Sequence, residues 1–286
     1  MRRNDILFYL WRKSAGLLSY FLLFSASLSI HAQTAYGDYV HKGMDALRVD
    51  SLSKAESFFL SALRESPAQS SNTEIYRLLG QIRERMNHRD EALDSYSKGL
   101  ELNPKHLELL LDRAALYYRM GNTSRALIDY TDVLVQQPQH IEALQMRAHI
   151  YAGQRDYKNA RQDYETILHL EPLNETAQVG LVLVNDRSGR PREAMEQITA
   201  LISLSPKHAL LYAVRGGIHQ QRKHYEEALN DLNQAIKLSP ENPDYYVSRA
   251  TLYLDMKKRR LARQDAQTAI TLGADPREMA SMLKKE

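Results

Sequence analysis

Residues 107–140, LELLLDRAALYYRMGNTSRALIDYTDVLVQQPQH, and residues 141–174, IEALQMRAHIYAGQRDYKNARQDYETILHLEPLN, carry one pattern twice. Ala114, Tyr117, Ala126, Tyr130 and Pro138 of the first stretch return as Ala148, Tyr151, Ala160, Tyr164 and Pro172 of the second. The pattern extends in both directions. Pro104, Pro138, Pro172, Pro206 and Pro240 stand 34 residues apart, and Ala92, Ala126, Ala160, Ala194, Ala228 and Ala262 keep the same spacing. A third series, Tyr96, Tyr130, Tyr164, Ile198 and Leu232, holds its own offset until Ala266 breaks it. Three series on one period are the signature of a repeat architecture.

The pattern resembles the tetratricopeptide repeat family, whose repeat is a helix, a tight turn and a second, antiparallel helix. It covers residues 36–69, 73–106, 107–140, 141–174, 175–208, 209–242 and 243–276, with Ser70, Ser71 and Asn72 setting the first repeat off the register of the others. The resemblance implies an all-α, right-handed superhelical solenoid of about seven antiparallel helix pairs. Small residues at repeat positions 8, 20 and 27 let helices cross closely, and Pro at position 32 closes each second helix. Asp275, Pro276 and Glu278 read as the start of a capping helix over residues 275–286, with Met279, Met282 and Leu283 covering the last open face. Repeat 175–208 is divergent, with Gln178, Val182 and Asn185 at positions 4, 8 and 11. Gly180 and the β-branched Val179, Val182 and Val184 make its first helix poor by propensity. It is either the flexible joint of the stack or a repeat reshaped for a ligand, and weak local stability favours the joint.

The 286 residues are 43% hydrophobic and 26% charged, with no Cys, which excludes disorder, disulfide scaffolds, thiolate metal sites and thiol nucleophiles. The formal charge of +3 is supplied by the first 32 residues, through Arg2, Arg3, Arg12 and Lys13 against Asp5. The remainder is neutral, which speaks against a nucleic-acid partner. The uncharged run Ser14–Ile30 behind that basic stretch, followed by His31-Ala32, reads as a signal peptide over residues 1–32 cut after Ala32. Left uncut, it would serve as a membrane anchor. Both readings place the body outside the cytoplasm, periplasmic or secreted.

Arg at repeat position 7 and Asp at position 23 occur together: Arg113 with Asp129, Arg147 with Asp163, Arg215 with Asp231, Arg249 with Asp265. Where Leu79 or Leu181 replaces the Arg, Ser95 or Gln197 replaces the Asp. This predicts a partly buried ion pair between the two helices of one repeat rather than a set of catalytic acids. His106, His140 and His208 share one repeat position and would lie about 10 Å apart, too far to share a metal ion, so they read as helix starters. No metalloprotease, phosphate-loop or nucleophile motif is present. The sequence therefore predicts no enzyme, no cofactor, no metal and no small-molecule substrate.

The family resemblance implies a concave groove lined by the first helices, in which a protein or peptide partner lies. Its candidate contacts here are Arg77, Gln81, Arg85, Leu111, Tyr118, Arg119, Gln145, His149 and Leu183. Tyr118 and Arg119 stand out, because Tyr117 already fills the packing position and Tyr and Arg dominate binding hot spots. The Lys and Asn set with which some relatives clamp a chaperone's C-terminal carboxylate is absent from these positions. Two other partners follow from the pattern. At repeat positions 13 to 18 the in-register repeats carry 14 cations, opposed by Asp90, Asp156, Glu226 and Asp255, so that edge could face an anionic surface. Incompletely capped ends could instead support self-association as a scaffold.

Overall fold

The computed structural model describes residues 35–67 and 71–283. The expected signal segment, residues 1–32, and the last three residues of the expected cap lie outside them. The described residues form helices joined by short turns, with no strand among them, in two compact units that divide between Val133 and Leu134.

The N-terminal unit stacks hairpins α1 (Ala35–Arg48) with α2 (Leu52–Glu65), α3 (Asn72–Arg85) with α4 (Arg89–Leu102), and α5 (Leu107–Arg119) with α6 (Thr123–Gln136), whose last turn crosses the division. The C-terminal unit stacks α7 (Ile141–Gly153) with α8 (Tyr157–Leu170), α9 (Glu175–Arg187) with α10 (Pro191–Leu204), α11 (Ala209–Gln221) with α12 (Tyr225–Leu238), and α13 (Pro243–Asp255) with α14 (Arg259–Thr271). The seven helix pairs expected from the period are all present.

Each hairpin closes by the same device. The turn residue at repeat position 15 is left-handed throughout: Asp50 (φ 56°), Asn87 (65°), Gly121 (79°), Arg155 (63°), Gly189 (83°), Lys223 (61°) and Lys257 (60°). The next amide reaches back five residues, as in His88 N–H to the Arg83 carbonyl at 2.8 Å and Lys258 N–H to the Tyr253 carbonyl at 2.7 Å. This is the bond pattern that satisfies the last carbonyls of a helix and reverses the chain in two residues. At the other end of the hairpins, the side chains of His106 and His140 accept from the amides of Leu109 and Ala143, and those of Asn174 and Asn242 from Ala177 and Asp244. His208 departs from its equivalents. It makes no cap bond, and its Nε2 stands 3.1 Å from Glu175 Oε2.

Small residues are required where helices cross. A Cβ at Gly80 would lie 2.2 Å from the Tyr96 ring, so this residue has to be glycine for the tyrosine to be fully buried. Gly180, which weakens α9 by propensity, is explained the same way: a Cβ there would meet the Tyr164 ring at 2.4 Å. α9 runs unbroken for 13 residues with Val182 and Val184 buried, because packing outweighs intrinsic propensity. The division of the chain falls in α6 rather than in this divergent hairpin. The C-terminal segment also differs from expectation. Residues 276–279 form turns, Asp275 accepts from the Arg277 amide at 2.9 Å, and helix α15 is Ala280–Leu283, although Met279 is buried as the cap reading requires.

Candidate groove contacts and the basic edge

In the N-terminal unit the candidate cations of the groove are already answered within the chain. Arg77 Nε donates to Asp112 Oδ2 at 3.0 Å, and Gln81 Nε2 donates to the same oxygen at 2.8 Å. A second Arg77 nitrogen donates to Glu74 Oε1 at 3.0 Å. Arg85 is ion-paired with Asp50, and Arg119 with Glu84, whose other oxygen accepts from the Tyr96 hydroxyl at 2.5 Å. These contacts bridge successive hairpins. Arg77–Asp112, Asp50–Arg85 and Glu84–Arg119 are each 35 residues apart, one more than the period. The carboxylates Asp50, Glu84 and Asp112 did not figure among the candidate site residues, although that spacing was available to find them, and Glu74, three residues from Arg77, was passed over too.

Burial beneath this network distorts protonation. Glu74 Oε2 is buried without a hydrogen-bond partner, 3.9 Å from His106 Nε2. Loss of solvent raises the Glu74 carboxyl above the usual range despite the pull of Arg77, and lowers the His106 imidazole despite nearby Glu108. Leu111 and Tyr118, on α5, are half-buried. In the C-terminal unit Gln145 Nε2 donates to Asn174 Oδ1 at 3.1 Å, His149 is exposed and Leu183 is half-buried. The structure thus joins Arg77 and Gln81 through one carboxylate, and spreads the remaining candidates over their own hairpins.

The predicted Arg–Asp pairs are present in all four hairpins. Arg113 and Arg147 each hold both oxygens of their Asp at 2.8 Å, and Arg215 and Arg249 do so at 2.7–2.8 Å. The carboxylates are buried, and their hydrogen bonds raise the Arg147, Arg215 and Arg249 guanidinium groups beyond their already high range. Each arginine also lies over a tyrosine ring, for example Arg249 at 5.7 Å from the centre of Tyr246. With both carboxylate oxygens held by a fork of donors, these acids tie the two helices of a hairpin together.

Two of the three hairpins lacking the pair, α3–α4 and α9–α10, supply a polar tie from position 11 instead. Arg83 donates to Ser95 Oγ and to Glu56 Oε1, both at 2.7 Å, and the fully buried Asn185 donates to Gln197 Oε1 at 2.8 Å. Among the described residues no three His, Asp or Glu side chains are grouped to hold a metal ion, and no helix is long and apolar enough to cross a membrane.

The edge formed by the hairpin turns is uneven. Of its cations, Arg85 and Arg119 of the N-terminal unit are ion-paired. In the C-terminal unit Lys223, Lys257, Lys258 and Arg260 are exposed, and a groove of about 710 Å³ runs between the α11–α12 and α13–α14 turns.

Comparisons agree with this architecture. Family models described as tetratricopeptide repeat match residues 73–106 and 146–209, and one described as TPR repeat matches residues 216–257. A tetratricopeptide repeat protein from Parabacteroides merdae ATCC 43184 superposes with a TM-score of 0.76 at 28% identity, over 87% of this chain and 97% of that one. YrrB, described as a TPR protein with an unusual peptide-binding site, matches at 20% identity and a TM-score of 0.53, over 70% of this chain and 97% of its own. MamA from Desulfovibrio magneticus RS-1 matches at 18% identity and a TM-score of 0.54, over 62% and 98%. The last two likenesses concern the fold alone. No curated protein matches the chain.

Proposed function

Because the chain is a tetratricopeptide repeat protein, and so a protein–protein interaction module, we propose that it acts outside the cytoplasm as an adaptor that holds a peptide or helix of its partner against the first helices of its hairpins. The observation that carries this reading is the state of the groove arginines in the N-terminal unit. Arg77, Arg85 and Arg119 are neutralised by Asp112, Glu74, Asp50 and Glu84, so they shape the surface rather than search for an acidic ligand. Recognition there falls to shape and to Leu111 and Tyr118, a large aromatic of the type that anchors interfaces. YrrB, of like fold, is described by its peptide-binding site, which supports a peptide as the class of partner.

The adaptor has no chemistry of its own and needs no cofactor or metal, in keeping with Asp residues whose oxygens are each held by an arginine across the hairpin. Its export rests on the basic and apolar N-terminal run. The test is photo-cross-linking in the native cell from a reactive residue at position 118, with one at position 157 as comparison. A discrete protein captured from 118 alone supports the groove. Adducts only to copies of the chain would assign it to a self-associating scaffold, and adducts only from 157 would move binding to the turn edge.

A further inference from the structure

We propose that the turn edge of the C-terminal unit is a docking surface for an anionic phospholipid membrane. Residues 153–158, 187–192, 221–226 and 255–260, the four turns of this unit, hold eleven cations against Asp156, Glu226 and Asp255. Two of these acids accept hydrogen bonds from neighbouring groups of the chain. Asp156 accepts from the amide and side chain of Asn159, and Asp255 accepts from Gln220 Nε2 at 2.7 Å.

The four turns form one row. Arg161 of α8 donates to Ser188 of the next turn at 3.0 Å, Arg222 donates to the Pro191 carbonyl at 3.2 Å, and the last two turns share the 710 Å³ groove. Arg222 is paired with Asp186, and Arg190 stands 3.6 Å from Glu193, whereas Lys223, Lys257 and Lys258 make no ion pair among the described residues. Three of the four turns put no glycine at the left-handed apex: Arg155, Lys223 and Lys257 hold it, at φ 60–63°. Gly121, Gly189 and Asn87 show that this chain uses residues suited to that conformation elsewhere. Strain of this kind persists where the side chain has a use.

The form of the charge selects the ligand. The groove has Glu226, Glu227 and Asp255 in its lining beside Lys223, Lys257 and Lys258, so it is not a pocket for a small anion. The excess lies along the row of tips, which are spaced about 10 Å apart by helix packing, and only an extended anionic surface meets them together. Tyr157 and Tyr225, half-buried beside the apices, are the amphipathic residue type that settles at lipid headgroups.

The test is co-sedimentation of the chain, as isolated from its own cells, with vesicles of phosphatidylcholine alone or mixed with phosphatidylglycerol. Binding to the mixed vesicles should exceed that to phosphatidylcholine by at least about tenfold and fall to the neutral level at roughly 0.5 M salt, as attraction to a charged surface requires. The Lys257→Glu/Lys258→Glu variant should lose at least about tenfold in that preference, while Arg89→Glu on an exposed turn of the N-terminal unit should keep it. Equal binding to both vesicle types, or an unchanged preference in the double variant, overturns the proposal. So does a preference abolished by equimolar poly-glutamate at low salt, which would assign the edge to an acidic protein segment.

Discussion

The two compact units treat the cations of their hairpin turns differently. In the N-terminal unit the arginines that end α3 and α5 are each met by a carboxylate one hairpin earlier, Asp50 and Glu84. In the C-terminal unit Lys223, Lys257 and Lys258 of the α11–α12 and α13–α14 turns have no such answer among the described residues, while Arg222 reaches back to Asp186. The lesson is that standing at a hairpin turn does not decide a cation's role. What decides it is the residue 35 or 36 positions away, which turns one cation into a strut between hairpins and leaves another facing solvent.

Stability measurements test this difference, with a partly buried pair as the yardstick. Asp163→Ala strands Arg147 between helices and should cost about 3–5 kcal/mol in urea unfolding, whereas Arg147→Leu with Asp163→Ala should recover a good part of that loss. Equal losses in the two variants would show that the pair is ornamental. Glu84→Ala, which deprives both Arg119 and the Tyr96 hydroxyl of their acceptor, should cost about 2–3 kcal/mol in the same assay. Lys257→Ala with Lys258→Ala should move the midpoint by no more than about 0.5 kcal/mol, and a loss as large as that of Glu84→Ala would erase the contrast between the units.

Smaller effects sharpen the contrast. Lys257→Gly relieves a left-handed residue and should stabilise by roughly 0.5–1 kcal/mol, against a vesicle preference that falls. Glu74→Gln tests the strain beneath the arginine network by pH. The folded carboxyl is raised by burial, so its ionisation weakens the fold. That penalty is complete above the folded pKa and vanishes below the unfolded value of about 4. The variant should therefore melt at a higher temperature than the parent at pH 7, with the gain shrinking to nothing as the pH falls below about 4.

The period made the helix pairs legible because the Ala and Pro positions are set by helix crossings and helix ends, constraints that every hairpin shares. The Arg–Asp ties were legible for a related reason: both partners lie in one repeat and are lost together. The groove was read less well. Arg77, Arg85 and Arg119 have the chemistry of hot-spot residues, and reading each by its own repeat position overlooked the carboxylates 35 residues away in the next or preceding hairpin. The replacement ties at Arg83 and Asn185 were hidden because a different position took over the task. Gly180 misled because propensity registers its conformational freedom and not the tyrosine ring packed against it.

The ties between hairpins also make the stack indifferent to its own length. Removing residues 73–106 as a block would take Arg85 away from Asp50 but bring Arg119 to a separation of 35 residues, the spacing at which Asp50 now finds its partner. A cassette that can be lost or copied and still present the matching charge at the seam is one that recombination can edit without redesigning its neighbours.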